Sequence, residues 1–274
     1  MRKLRVAAIQ MVSAPEVAPN LESAARLVAE AAAAGARLVA LPEYFCILGR
    51  HETDKVKARE RDGAGPIQDF LAAAAARHGV WLLGGTVPLE CGDPKRVRSA
   101  CLLYDDRGRR AARYDKLHLF GLELGDQKFD ESRTIEPGEQ PVAVDTPLGR
   151  LGLSVCYDLR FPELYREAGA AEPVDAWLVP SAFTAVTGAA HWETLLRARA
   201  IENQCYVIAP AQGGLHPNGR RTHGHSMVVD PWGEVLARRA EGEGVVLAEL
   251  DPARIAEVRQ SLPALLHRKT TLTA

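Results

Sequence analysis

The chain has no pair of cysteines at C-x-x-C spacing, and its five cysteines (Cys46, Cys91, Cys101, Cys156 and Cys205) are odd in number. Both facts argue against a structural zinc site and against a disulfide framework. Free thiols suit a reducing compartment, so a cytoplasmic location is expected. No apolar run approaches the roughly 18 residues of a membrane span. Met1-Arg2-Lys3-Leu4 leads straight into a strand-like segment without a long apolar core, so no signal peptide is expected. Excess charge of either sign is missing as well. The 34 Lys and Arg against 35 Asp and Glu give a net charge of −1, which offers no electrostatic case for nucleic acid or an anionic membrane. Basic residues between Arg107 and Arg113, and the pair Arg220 and Arg221, lie in polar, turn-rich stretches and read as solvated loops.

Several motifs are absent too. There is no G-x-x-x-x-G-K-[ST] phosphate loop and no G-x-S-x-G serine elbow. Gly84-Gly85 and Gly213-Gly214 lack the strand–GxGxxG–helix setting of a dinucleotide site. His223-Gly224-His225 could place two imidazoles on one strand face, but no third ligand stands at a recognisable spacing, so a hydrogen-bonded or surface role is expected. Neither a metal nor an organic cofactor is expected. Trp192 and Trp232 read as core or interface anchors.

What is present is an alternation of strand and helix. Leu4–Gln10 reads as a buried strand, Leu21–Ala34 as a helix capped by Asn20 and closed by Gly35, and Arg37–Leu41 as a second buried strand running into Pro42-Glu43. A helix from Gly65-Pro66 to about His78 precedes strands at Trp81–Val87 and Ser99–Tyr104. The second half repeats the rhythm. It has strands at Gly149–Cys156, Ala176–Pro180 and Cys205–Ala211, with helices at Pro162–Ala168 and His191–Asn203. Short strands at His225–Val229, Glu234–Arg238 and Gly244–Leu250 and a helix at Ala253–Ser261 finish the chain. The pattern predicts an α/β protein with largely parallel pairing and antiparallel additions at the end. With no linker or composition break, one domain over residues 1–274 is expected, with a short C-terminal tail from about residue 262.

Three polar residues fall at strand ends or just beyond, where α/β proteins place functional groups. Glu43 follows RLVALP, Cys156 ends GRLGLSVC, and Lys116 follows Ala111–Asp115. Together they could form an amide-cleaving set. A thiol supplies the nucleophile, a carboxylate moves its proton, and an ammonium stabilises the oxyanion. Singly, each has a bland reading: an inert core thiol, a solvated loop acid, a surface lysine. Spacing alone does not bring them together.

LPEYF (41–45), YDKLHLF (114–120) and GLSVCYDLRFPELYRE (152–167) resemble, in order, the three signature blocks of the nitrilase superfamily of carbon–nitrogen hydrolases. The resemblance runs from LRVAAIQM to HRK. It implies a four-layer α-β-β-α sandwich, a homodimer or higher homo-oligomer formed through helical faces, and a small-molecule amide substrate. It implies Cys156 as nucleophile, Glu43 as base and Lys116 as oxyanion partner, with the Tyr157 backbone N–H as a second donor. Glu131 in FDES matches the family's second glutamate, which orients the lysine and the substrate. The segments 180–212 and 224–237 resemble the amidases of deaminated glutathione and the related ω-amidases, while GLELGDQK (121–128) departs from the usual loop of both.

The expected activity is therefore hydrolysis of a small carboxylate-bearing primary amide to acid and ammonia through a thioester, of the deaminated-glutathione-amidase kind. The alternatives are an ω-amidase, another small-acid amidase or ureido-hydrolase, a nitrilase, or a catalytically idle binding protein that keeps the fold. Arg160, Ser181, Phe183 and Thr184 are candidate substrate-binding residues. Arg160 could grip a carboxylate through two parallel hydrogen bonds, or form a structural ion pair with Glu163 or Asp158.

Overall fold

The computed structural model describes residues 3–124 and 127–269. Of Leu124, Gln127 and Lys128 only the backbone is described. The readings placed on Met1 and Arg2, on Gly125 and Asp126 within the divergent 121–128 segment, and on residues 270–274 of the tail lie outside the described residues.

The first half of the chain runs β1 (Leu4–Gln10), α1 (Val17–Ala33), β2 (Leu38–Ala40), α2 (Asp54–Lys57), α3 (Pro66–His78), β3 (Trp81–Leu83), β4 (Val87–Glu90), β5 (Val97–Tyr104) and β6 (Arg110–Asp115). A hairpin of β7 (Gly121–Leu124) and β8 (Gln127–Asp130) follows. The second half runs β9 (Val142–Thr146), β10 (Gly149–Leu153), α4 (Pro162–Ala168), β11 (Ala176–Leu178), α5 (Ala185–Asn203), β12 (Tyr206–Ala209), β13 (Gly213–Leu215), β14 (Arg221–His223), β15 (Ser226–Val229), β16 (Val235–Arg239), β17 (Gly244–Leu250) and α6 (Pro252–Ser261).

Strand composition explains the layering. β1 is apolar almost throughout because both of its faces are covered. Successive side chains alternate sides, so Val6 and Ala8 enter one core while Ala7 and Ile9 enter another. The same alternation divides Leu38 and Ala40 from Val39, and Cys101 and Leu103 from Ala100 and Leu102. One core lies under α1 and α3, whose Leu27, Val28, Ile67 and Leu71 fill it. The other lies between this sheet and a second sheet that brings Leu151, Leu153, Leu178 and Val207, and it continues to Leu164 of α4 and Leu196 of α5. The result is four layers, α-β-β-α.

The sheets run β17-β1-β2-β3-β5-β4, with β6 beside β5, and β16-β15-β12-β11-β10-β9. Pairing corrects the expectation of a largely parallel protein. Among the strands of the described residues, parallel ladders join β1-β2-β3 and β10-β11-β12, and the flanking strands are antiparallel. The reason is local. Val87–Glu90 and Arg110–Asp115 are hairpin partners of β5, and the sequence reading had no strand for either.

Boundaries differ for specific reasons. α1 begins at Val17 with no side-chain cap. Asn20 lies inside the helix, buried, and its amide bridges the backbone of Ala14 and the carbonyl of Cys46. It ties a loop to the helix rather than starting the helix. α5 begins well before His191, with Thr184 as its cap. The stretch 81–87 breaks at Gly84-Gly85, and a Cβ at Gly85 would lie 1.9 Å from the Pro42 carbonyl oxygen. Only glycine allows the Pro42–Glu43 loop to approach that closely. Among the described residues, no helix is long and apolar enough to cross a membrane.

Candidate active site

Glu43, Glu131 and Cys156 border one cavity, and the fully buried Lys116 binds both glutamates, each of the four delivered by a different loop. Glu43 leaves the end of β2 in a turn closed by a Phe45 N–H to Pro42 carbonyl bond of 3.2 Å. Gln212 holds the Glu43 carbonyl at 3.0 Å, and Thr86 accepts the Tyr44 N–H at 2.9 Å. Lys116 follows β6, with its N–H on the Ser99 carbonyl and its carbonyl on the Gly138 N–H. Glu131 opens a 3-10 turn after β8, its N–H donating to the Phe120 carbonyl.

Cys156 does not end a strand. β10 stops at Leu153, and Cys156 begins a 3-10 turn over Cys156–Arg160 with φ of 49°. Tyr44, beside the base, has φ of 55°. Left-handed backbone at non-glycine residues costs about 1–3 kcal/mol and persists where the surroundings enforce it. Here those surroundings include the Cys156 N–H bond to the Pro180 carbonyl and the buried Asp158. That carboxylate accepts hydrogen bonds from Val155 N–H at 2.8 Å, Tyr114 Oη at 2.7 Å and His118 N–H at 3.0 Å, and also meets the His118 ring. Asp158 thereby ties the cysteine turn to the segment that carries Lys116.

The charged groups form one buried network. Lys116 Nζ donates to Glu43 Oε1 at 2.8 Å and to Glu131 Oε2 at 2.7 Å. Glu131 also accepts the Phe120 N–H at 2.7 Å and the Tyr44 hydroxyl at 2.6 Å. Burial alone would push the Lys116 ammonium down, but Glu131 and Glu43 hold it well above its ordinary value. Burial would raise Glu131, yet the Lys116 charge and its donors keep it below the usual carboxylate range. Glu43 is raised, because burial, with the Glu131 charge, outweighs Lys116. The Cys156 thiol is pushed well up by burial and by Glu43, against the pull of Lys116. A protonated thiol beside a carboxylate of raised proton affinity is an arrangement for proton transfer at the moment of attack.

Cys156 faces two spaces. The larger is a cavity of about 190 Å³ bounded by Glu43, Glu131, Phe120, Phe129 and Arg220. A narrow crevice next to it is bounded by Tyr157, Arg160, Phe183 and Thr187. Thr184 borders both. The Tyr157 N–H makes no hydrogen bond to another described residue, which leaves it available as a donor. Arg160 forms neither of the ion pairs considered for it, since Asp158 is buried and engaged by Val155, Tyr114 and His118. Its guanidinium lies 5.7 and 5.2 Å from the Tyr157 and Phe183 ring centres and 3.1 Å from His191 Nδ1. Ser181 is turned away: fully buried, it donates to the Val179 carbonyl and lines neither space.

The sequence reading gave Tyr44 no role, named Asp158 only as a possible ion-pair partner of Arg160, and took Arg220 for part of a solvated loop. The first two lie inside LPEYF and CYDLRF, beside residues already chosen, so those blocks were the available signal. Arg220 had none: it lies in a loop, as expected, but its side chain borders the cavity, whereas Arg221 pairs with the exposed Glu241. Arg110 and Arg113 are likewise engaged, with Asp62. The His223 and His225 rings stack at 4.2 Å, and His225 Nδ1 lies 2.9 Å from the His223 carbonyl. Among the described residues no group of three or more His, Cys, Asp or Glu is arranged to hold a metal.

Residues 5–260 match the family profile of the carbon–nitrogen hydrolases. The chain belongs to that family. This carbon–nitrogen hydrolase is 44% identical over 272 residues to a deaminated glutathione amidase of Synechocystis, covering 98% of this chain and 99% of that one. It superposes on the Caenorhabditis elegans NitFhit protein with a TM-score of 0.92 at 38% identity, over 100% of this chain and 67% of that chain. Saccharomyces cerevisiae Nit3, a member of branch 10 of the nitrilase superfamily, superposes with a TM-score of 0.88 at 32% identity, over 98% and 97%. This carbon–nitrogen hydrolase is thus an enzyme of the amidase kind, built on the nitrilase-superfamily fold.

Proposed function

We propose that this enzyme hydrolyses deaminated glutathione or a closely similar amide of a small keto acid, using Cys156 as nucleophile. One observation carries the reading. Lys116 bridges Glu43 and Glu131 in a buried network beside a thiol that opens onto a cavity. In the first half-reaction Glu43 takes the Cys156 proton as sulfur attacks the amide carbon. Lys116 and the Tyr157 N–H stabilise the oxyanion. The C–N bond breaks as Glu43 returns the proton to the amine, leaving a thioester. In the second half-reaction Glu43 takes a proton from water, the hydroxide displaces sulfur, and the acid leaves as the thiol is restored. Glu131 keeps Lys116 charged and oriented. Deaminated glutathione carries a peptide amine as its leaving group, whereas primary amides, the smaller case, release ammonia.

Arg160, above Phe183, serves as the carboxylate holder on the acyl side, with Thr184 beside the nucleophile. We further propose one domain acting as a homo-oligomer in the cytoplasm. Free thiols support the location, and the exposed Val186 and Ile201 of α5 and the exposed Trp232 support association. A panel of deaminated glutathione, keto-acid amides, glutamine and ureido acids, read by amine or ammonia release, tests the substrate. Added hydroxylamine should divert product to hydroxamate. Turnover of a good substrate without any hydroxamate would count against the thioester.

A further inference from the structure

The larger cavity has a cation on its wall that the mechanism does not use. Arg220 is half-buried there, its guanidinium carbon 5.2 Å from the centre of the Phe129 ring. Among the described residues no carboxylate lies within ion-pair distance of it. The other cations of this cavity wall differ. Lys55 is 3.1 Å from Glu52 and 3.2 Å from Thr134, and Arg50 is 3.7 Å from Glu16.

The Arg220 backbone is also held in place. It sits in the β13–β14 hairpin loop, where the His216 N–H donates to its carbonyl and its own N–H donates to Asn218 Oδ1. The Asn218 amide donates to the carbonyls of Leu48 and Gly49, each at 2.9 Å, and both residues line the same cavity. The buried His216 ring spans Ser13 and Thr222. An arginine stacked on an aromatic ring and anchored this way loses little freedom on meeting an anion.

Position assigns the side of the substrate. The departing amine must take its proton from Glu43, which borders the larger cavity and not the crevice. The amine portion therefore occupies the larger cavity, toward Arg220, and the acyl portion extends toward Arg160. We propose that Arg220 is a specificity-determining residue that binds a carboxylate on the amine portion of the substrate, so that preferred substrates carry an anionic group on each side of the scissile amide. This rests on the amide-hydrolase reading above and extends it.

The test compares deaminated glutathione with its C-terminal carboxamide, which differ by one charge on the amine portion. Wild type should favour the acid in kcat/KM by about 10- to 100-fold, the range for a charged hydrogen bond. R220Q should bring that ratio close to one, and R220K, which keeps the charge but not the planar stack, should hold part of it. Melting temperature checks folding. Should R220Q fail to fold, competition on wild type by cysteinylglycine and by cysteinylglycinamide carries the test, with the acid expected to inhibit more strongly. A wild-type ratio near one, an R220Q ratio equal to wild type, or equal inhibition by the two dipeptides overturns the role of Arg220 while the amidase reading stands. Hydrolysis of neither compound overturns that reading and this inference with it.

Discussion

Cys156 and Cys205 share one hydrophobic core, and both are buried. Burial pushes the Cys205 thiol up to about 12, and the Cys156 thiol is raised well above its ordinary value as well. Their surroundings otherwise differ. Cys205 directly precedes β12 and borders neither of the two spaces at the site. Cys156 occupies a left-handed turn, meets Glu43 and Lys116, and opens onto two spaces. Burial by itself makes a thiol inert. What sets Cys156 apart is a partner for its proton, a cation for the charge that develops, and access for substrate.

The sharpest break of this comparison is removal of each sulfur. Cys156→Ala should abolish turnover, whereas Cys205→Ala should retain most of it, both read by amine release. Turnover by the Cys156 variant would sink the mechanism. Next comes the cation. Lys116→Ala should lower kcat by roughly 100-fold or more, since loss of an oxyanion donor costs on the order of 3–4 kcal/mol. Lys116→Arg should not rescue it, because a planar guanidinium cannot take the place of an ammonium held at 2.8 and 2.7 Å between two buried carboxylates. A fully active arginine variant would refute the assignment.

A smaller loss should follow Tyr44→Phe, which deletes the hydroxyl donor to Glu131 and leaves the Lys116 and Phe120 donors in place. We expect kcat to fall by about 10-fold, near the lower range for one charged hydrogen bond. An unchanged kcat would remove Tyr44 from the site. The mildest effect concerns pH. Glu43 must be ionised to accept the thiol proton, and its proton affinity is raised by burial. Activity should therefore rise with pH through a limb that lies above the ordinary glutamate value of about 4.3. A kcat/KM profile still flat down to that value would show that Glu43 is not the base.

Much of this site was legible before any fold was known, though unevenly. Glu43 and Cys156 belong to apolar runs that read as strands, and the strands found there, β2 and β10, are members of the parallel triplets. Lys116 follows an edge strand whose residues alternate too weakly to announce it, and only the YDKLHLF block marked the position. The left-handed turn at Cys156 was illegible, since a cysteine after the strand-like run GRLGLSV reads as more strand. So was the capping role of Thr184, which lengthens α5 beyond the start proposed at His191.

The sequence by itself determined the α/β class, the two repeated strand–helix series and the residue types that amide cleavage needs. Those follow from side-chain periodicity and local turn chemistry, which act over a few residues. Tertiary structure alone decided that Glu43 and Glu131 share one lysine, that Asp158 joins the cysteine turn to the lysine segment, and that Arg220 reaches the cavity while Arg221 meets Glu241 at the surface. Those pairings exist only once two sheets stack and loops distant in sequence close over one another. Burial then turns ordinary charges into a network whose members set one another's protonation.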